Sequence, residues 1–167
     1  MKKQKLIFLV LMFGLFLSSC KDSSTEPDNQ FVQIFFKYGF KNELNTFENS
    51  YQKDLFSDGV VKVNFWLTME EQKSIIQKAE EINYFMLPDT LITIQEDSIA
   101  VSLNPNPGAQ TLRIRYNAKD KTTVWFYPFI ENDVQMKRIM ELNSFIISMI
   151  ESKPEYKKLP PSSGGYD

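Results

Sequence analysis

Apolar residues alternate with polar ones in several short stretches of the chain and recur every three or four positions in two longer ones. These two rhythms separate strands from helices. Residues 31–40 (FVQIFFKYGF) place Val32, Ile34, Phe36 and Tyr38 on one face and predict a strand ended by Gly39. Residues 43–55, with Leu44, Thr46, Phe47 and Tyr51, predict a second strand paired back on the first, and Ser57-Asp58-Gly59 a turn. Val61, Val63, Phe65 and Leu67 then alternate with Lys62, Asn64 and Trp66, the period of a third strand with one buried face. Thr68-Met69-Glu70-Glu71 matches a capping box, in which the hydroxyl accepts from the N–H of Glu71 while that glutamate reaches back. The helix it opens runs to about Ile82, with Met69, Ile75, Ile76 and Ala79 inward and Lys73, Lys78 and Glu80 outward. Tyr84 to Leu87 extends it as an apolar lip until Pro88 ends it.

The second half repeats the order. Ser98 to Leu103 alternates, and Asn104-Pro105-Asn106-Pro107-Gly108 is a turn. Leu112, Ile114 and Tyr116 oppose Arg113 and Arg115 on the next strand, a polar hairpin turn spans Asn117 to Lys121, and Thr122 to Phe126 returns. Asn132 or Asp133 caps a long helix to about Ser152, whose Ile139, Leu142, Ile146, Met149 and Ile150 form a wide apolar stripe. The tail, residues 154–167, holds three prolines and two glycines and is expected to be extended or mobile. The order βββαβββα with short turns implies an α+β domain over residues 31–153: an antiparallel sheet of about six strands with two helices packed on one face.

The first thirty residues follow neither rhythm. Lys2, Lys3 and Lys5 precede an unbroken twelve-residue apolar run from Leu6 to Leu17, and small residues follow, the layout of a secretory signal over residues 1–19. A helix of that run reaches about 18 Å, short of the roughly 30 Å hydrocarbon core, so a permanent span is not expected. Leu17-Ser18-Ser19-Cys20 looks like the motif read by lipoprotein-processing enzymes. In that chemistry the cysteine thiol takes a diacylglyceryl group, the chain is cut before it, and the new amino terminus is usually acylated with a fatty acid such as palmitate. Two or more acyl chains on Cys20 anchor stably where one does not. Residues 20–30 carry no large apolar side chain after the cysteine, and the ten from Lys21 to Gln30 form a solvated tether averaging about 18 Å. Lys21 stands where an inner-membrane retention signal has Asp, so the expected address is the outer membrane of the cell envelope, with the leaflet left open.

Composition narrows the chemistry further. Residues 20–167 hold sixteen basic and twenty-one acidic side chains, a net charge of −5, which gives no clustered cationic surface for a nucleic acid. There is no histidine, and the single cysteine is the lipid-attachment candidate. Ser-His-Asp and Cys-His catalysis, histidine-containing zinc sites and imidazole proton shuttling are thereby excluded. What remains is carboxylates, lysine, tyrosine and hydroxyls, and no cofactor is implied.

Several segments resemble a family of small Gram-negative bacterial lipoproteins with no assigned activity. They are Asn42-Glu43-Leu44-Asn45-Thr46-Phe47 with Lys53-Asp54-Leu55, Leu67-Thr68-Met69-Glu70-Glu71, Ile82-Asn83-Tyr84-Phe85, Pro88-Asp89, and Pro154-Glu155-Tyr156-Lys157-Lys158-Leu159-Pro160 followed by Gly164-Gly165-Tyr166. The resemblance implies the same address and adds no mechanism.

Three constellations are candidates for function. Glu48 with Asp54, or Glu96 with Asp97, would make a carboxylate-dependent polysaccharide hydrolase if two groups faced one cleft about 5 to 9 Å apart; solvated charge and turn formation is the favoured reading, because neither pair has an aromatic, cleft-like context. Asp89, Glu96 and Asp97 lack the alternating oxygens and glycine of a calcium loop, so no metal is expected. Trp66, at the outward parity of its strand, could join Trp125 and Tyr127 in an aromatic platform for a sugar ring or a protein, unless the sheet buries both faces. Tyr156, Leu159 and Tyr166 in the tail either pack on their own domain or dock a partner. The expected function is a non-enzymatic module, held to the membrane through Cys20, that binds an envelope protein or glycan; an inhibitor or immunity-type lipoprotein is a further alternative.

Overall fold

The computed structural model describes residues 32–91, 108–126 and 133–164. Seven strands form one sheet: β1 (Val32–Tyr38), β2 (Asn42–Asn45), β3 (Ser50–Asp54), β4 (Val60–Asn64), β5 (Thr90–Leu91), β6 (Ala109–Tyr116) and β7 (Lys119–Phe126), in the spatial order β4-β3-β2-β1-β6-β7-β5. Among the described residues three α-helices accompany it, α1 (Met69–Glu81), α2 (Val134–Ser152) and α3 (Pro154–Lys157), with a 3-10 turn at Tyr84–Met86. The fold is α+β, as the two rhythms of the sequence imply.

The strands carry their apolar side chains at alternate positions, and the buried set meets the helices. Ile34, Phe36, Leu44, Tyr51, Leu112, Ile114 and Trp125 form one cluster with Ile75, Ile76 and Ala79 of α1 and Met136, Ile139, Leu142, Ile146 and Ile150 of α2. Thr68 and Glu71 complete the predicted capping box at the start of α1, and Asp133 accepts from the N–H groups of Gln135 and Met136 to start α2.

Four features differ from the sequence reading. The single strand expected over 43–55 is two, because Thr46 to Asn49 turn the chain. The Asn45 side chain accepts from the Phe47 N–H at 3.1 Å and Asn49 takes a left-handed φ of 51°, which asparagine tolerates better than most residues. The sheet is mixed, since β5 runs parallel to β7 with Leu91 beside Trp125. α1 carries the chain from one edge of the sheet to the other, and the returning strand meets β7 in the same sense. The strand expected over Ser98 to Leu103 lies outside the described residues.

Met69, expected inward, is 56% exposed: it borders an open cleft of about 190 Å³ between α1 and the sheet end at Val32 and Tyr116. The tail, expected to be extended or mobile, instead folds into α3 and then lies against the β3–β4 hairpin. Pro160 O accepts from Lys53 Nζ at 2.7 Å, Asp54 O from Ser162 Oγ at 2.7 Å, and Leu55 O from the Ser163 N–H at 3.3 Å. Tyr156 packs on Tyr51 with ring centroids 5.7 Å apart, beneath Lys53.

Candidate interaction surface

With both long helices on one side, the second face of the sheet carries polar and aromatic side chains that no described helix covers. Register fixes what stands there. One row crosses all seven strands as Lys62, Gln52, Glu43, Lys37, Thr111, Val124 and Thr90. A second row holds Asn64, Ser50, Asn45, Phe35, Arg113 and Thr122, and a third Gln33, Arg115 and Asp120. In the first row Glu43 stands beside Lys37, the stabilising arrangement for cross-strand neighbours, and Gln52 separates Glu43 from Lys62.

The centre of this face is a small assembled cluster. Asp120 receives Arg113 Nε and Nη2 at 2.9 and 2.8 Å and Arg115 Nε at 3.0 Å. The hydrogen bonds from Arg113 come first among the causes that hold the Asp120 carboxyl well below the usual carboxylate range; Arg115 adds to them. The β2–β3 turn folds Phe47 back over the sheet so that both guanidiniums lie against its ring, at 5.3 and 5.4 Å from the centroid. Thr46 fixes that turn by pairing with Ile34: its backbone N–H donates to Ile34 O at 2.9 Å and its hydroxyl accepts from Ile34 N–H at 2.7 Å. The result is a pre-ordered plate of one ring, two cations and one carboxylate. Its signal in the sequence was the outward parity of Arg113 and Arg115; Phe47, read as part of a continuous strand, carried none.

The aromatic platform of the sequence reading is not assembled. Trp66 is 54% exposed just beyond β4, whereas Trp125 is fully buried among the helix-facing residues of β7, because it shares the parity of Thr123 while Phe126 takes the outward side. The two lie at opposite ends of the strand order, and five strand spacings of about 4.8 Å separate them by roughly 24 Å. Tyr127, Tyr166 and Cys20 lie outside the described residues.

The carboxylate pair Glu48 and Asp54 does not converge either. Glu48 is exposed and paired with Lys62 at 3.1 Å, while Asp54 is buried at the far end of β3, its Oδ1 accepting from the Phe56 N–H at 3.0 Å. β3 from Ser50 to Asp54 already spans about 13 Å, beyond the separation that glycoside hydrolysis uses. Glu96 and Asp97 lie outside the described residues.

On the helix side the polar groups are structural. Lys153, almost fully buried, places Nζ 2.7 and 3.0 Å from the two carboxylate oxygens of Glu71. Burial alone would raise the Glu71 pKa, but the hydrogen bonds from Lys153 and Thr68 outweigh it and hold the carboxyl below its ordinary value. Tyr38 and Tyr51 share a hydrogen bond of 2.7 Å between buried hydroxyls, and burial pushes both far above the usual phenol range. Neither phenol can serve as a base near neutrality. No protein-family profile and no curated protein matches the chain.

Proposed function

We propose that the chain is a lipid-anchored envelope protein, attached through Cys20, whose domain binds a partner with the uncovered face of its sheet. One observation carries the binding reading: side chains that would order a partner are already ordered on that face, in the Phe47–Arg113–Arg115–Asp120 cluster, whereas on the helix side Lys153 with Glu71 and Tyr38 with Tyr51 satisfy each other. Arginine and aromatic side chains dominate the energetics of protein interfaces, and those held in place before contact lose less conformational freedom on binding. The Glu43–Lys37 pair and the mixed polar rows beside that cluster suit the polar surface of a folded protein better than the regular hydroxyls of a glycan. The Leu17-Ser18-Ser19-Cys20 junction supports the anchor, and the outer membrane is the address that Lys21 favours.

The test has two arms. Labelling with palmitate should mark the wild-type chain, and Cys20→Ala should lose the label and leave the membrane fraction. Crosslinking in intact envelopes should trap the same partner repeatedly with the wild type and at least tenfold less of it with Arg113→Ala/Arg115→Ala. An identical set of crosslinks in both chains, or none in either, refutes the binding reading and leaves the anchor standing.

A further inference from the structure

The two edges of the sheet are unlike. Among the described residues β5 offers Thr90 and Leu91, while β4 presents five residues with no described strand beyond it. Within the β3–β4 hairpin, Leu55 N–H donates to Gly59 O at 2.9 Å and Phe65 N–H to Asn49 O at 2.8 Å, in register with Tyr51 opposite Val63 and Lys53 opposite Val61. Odd-numbered residues therefore turn their backbone groups toward β3. Those of Val60, Lys62, Asn64 and Trp66 point outward, a row of donors and acceptors with no partner among the described residues. An open row of this kind is a template for another strand.

We infer that this edge pairs with the same edge of a second copy, antiparallel and centred on Val63. The register follows from which residues face outward. Centring on Lys62 would set two lysines opposite each other, and centring on Asn64 would leave Val60 beside the polar Thr68. Centring on Val63 puts Lys62 opposite Asn64 and Val60 opposite Trp66, twice over. Val60 and Trp66 are 45% and 54% exposed, both on the uncovered face, and they become an aromatic–branched cross-strand pair. Glu48 already neutralises Lys62 on each copy, so no unpaired charge is brought to the seam. Val61, Val63 and Phe65 meet their counterparts on the helix side, which makes one continuous sheet of fourteen strands from the seven of each copy. This inference rests on the hairpin geometry alone and is independent of the partner proposed above.

A central non-hydrogen-bonded pair has Cα atoms about 4.5 Å apart, within disulfide reach. The full chain, purified in detergent, is therefore oxidised as Lys62→Cys, Val63→Cys and Asn64→Cys, with the wild type, whose only cysteine is Cys20, as background. Val63→Cys should give a linked dimer several-fold above background and above the other two variants, and sedimentation of the unmodified chain should show twice the chain mass at high concentration. Asn64→Pro removes an outward N–H that the hairpin does not use. Added to Val63→Cys, it should abolish the link while the thermal unfolding midpoint stays within a few degrees. A chain monomeric at every concentration, linkage that peaks at 62 or 64, or a link that survives Asn64→Pro in a folded protein each overturns the proposal.

Discussion

Trp66 and Trp125 are the same residue type placed on opposite sides of one sheet, and their surroundings share almost nothing. Trp125 is fully buried on the helix-covered side as a member of the core cluster; Trp66 stands on the other side with half its surface in water. The difference shows that a single step in strand parity decides whether an aromatic residue holds the domain together or is free to meet something else. The same division runs through the polar groups. Lys153 and Glu71, or Tyr38 and Tyr51, satisfy each other inside, while Arg113, Arg115 and Asp120 form their network at the surface, where ion pairs contribute little to stability.

The largest test of this contrast is Trp125→Ala, which leaves a cavity in the core and should cost about 3 to 5 kcal/mol in chemical unfolding, with the midpoint falling and the slope unchanged. A loss under about 1 kcal/mol would mean that the covered side is not a packed core.

An intermediate effect is expected for Glu71→Ala. It strands a nearly buried ammonium and removes half of the capping box, for a loss of about 3 kcal/mol at neutral pH, the low end for buried pairs because Glu71 still reaches solvent. The pH dependence has a definite sign. Glu71 binds its proton less readily folded than unfolded, so its contribution is complete above the ordinary glutamate value of about 4.3 and is lost as pH falls through the lower folded value. Unfolding curves from pH 7 down to 3 should converge for the wild type and Glu71→Ala; curves that stay parallel would assign the loss to something other than the carboxylate.

The smallest effect belongs to Trp66→Ala, which should change stability by less than about 0.5 kcal/mol in the same assay. A loss comparable to that of Trp125→Ala in the isolated chain would erase the distinction between the two sides.

How far the sequence could be read depended on whether the deciding interaction was local. The capping box at Thr68 and Glu71 needs only four consecutive residues, and the strand alternation from Val61 to Leu67 only seven, so α1 and the parity of Trp66 were legible. The β2–β3 turn was also local, but its signs, Asn45 and Asn49, were masked by the apolar residues around them. Contacts across long separations left no trace in the pattern. The parallel β5–β7 pairing depends on where α1 returns the chain, Lys153 finds Glu71 across 82 positions, and nothing near Tyr156 announces that its ring will rest on Tyr51. Of the candidate surface, the two arginines could be placed by alternation, while Phe47 could not, because a turn rather than a strand aims it.

The lodging of residues 160–163 against the β3–β4 hairpin bears on how the chain is made. Lys53 and Asp54 wait for partners 107 and 108 positions downstream. Until these arrive the hairpin has no cover over Tyr51 and the domain stays open. The fold therefore closes only after residues 154–163 have been made, and a nascent chain truncated before Pro154 should remain sensitive to protease where the full chain does not.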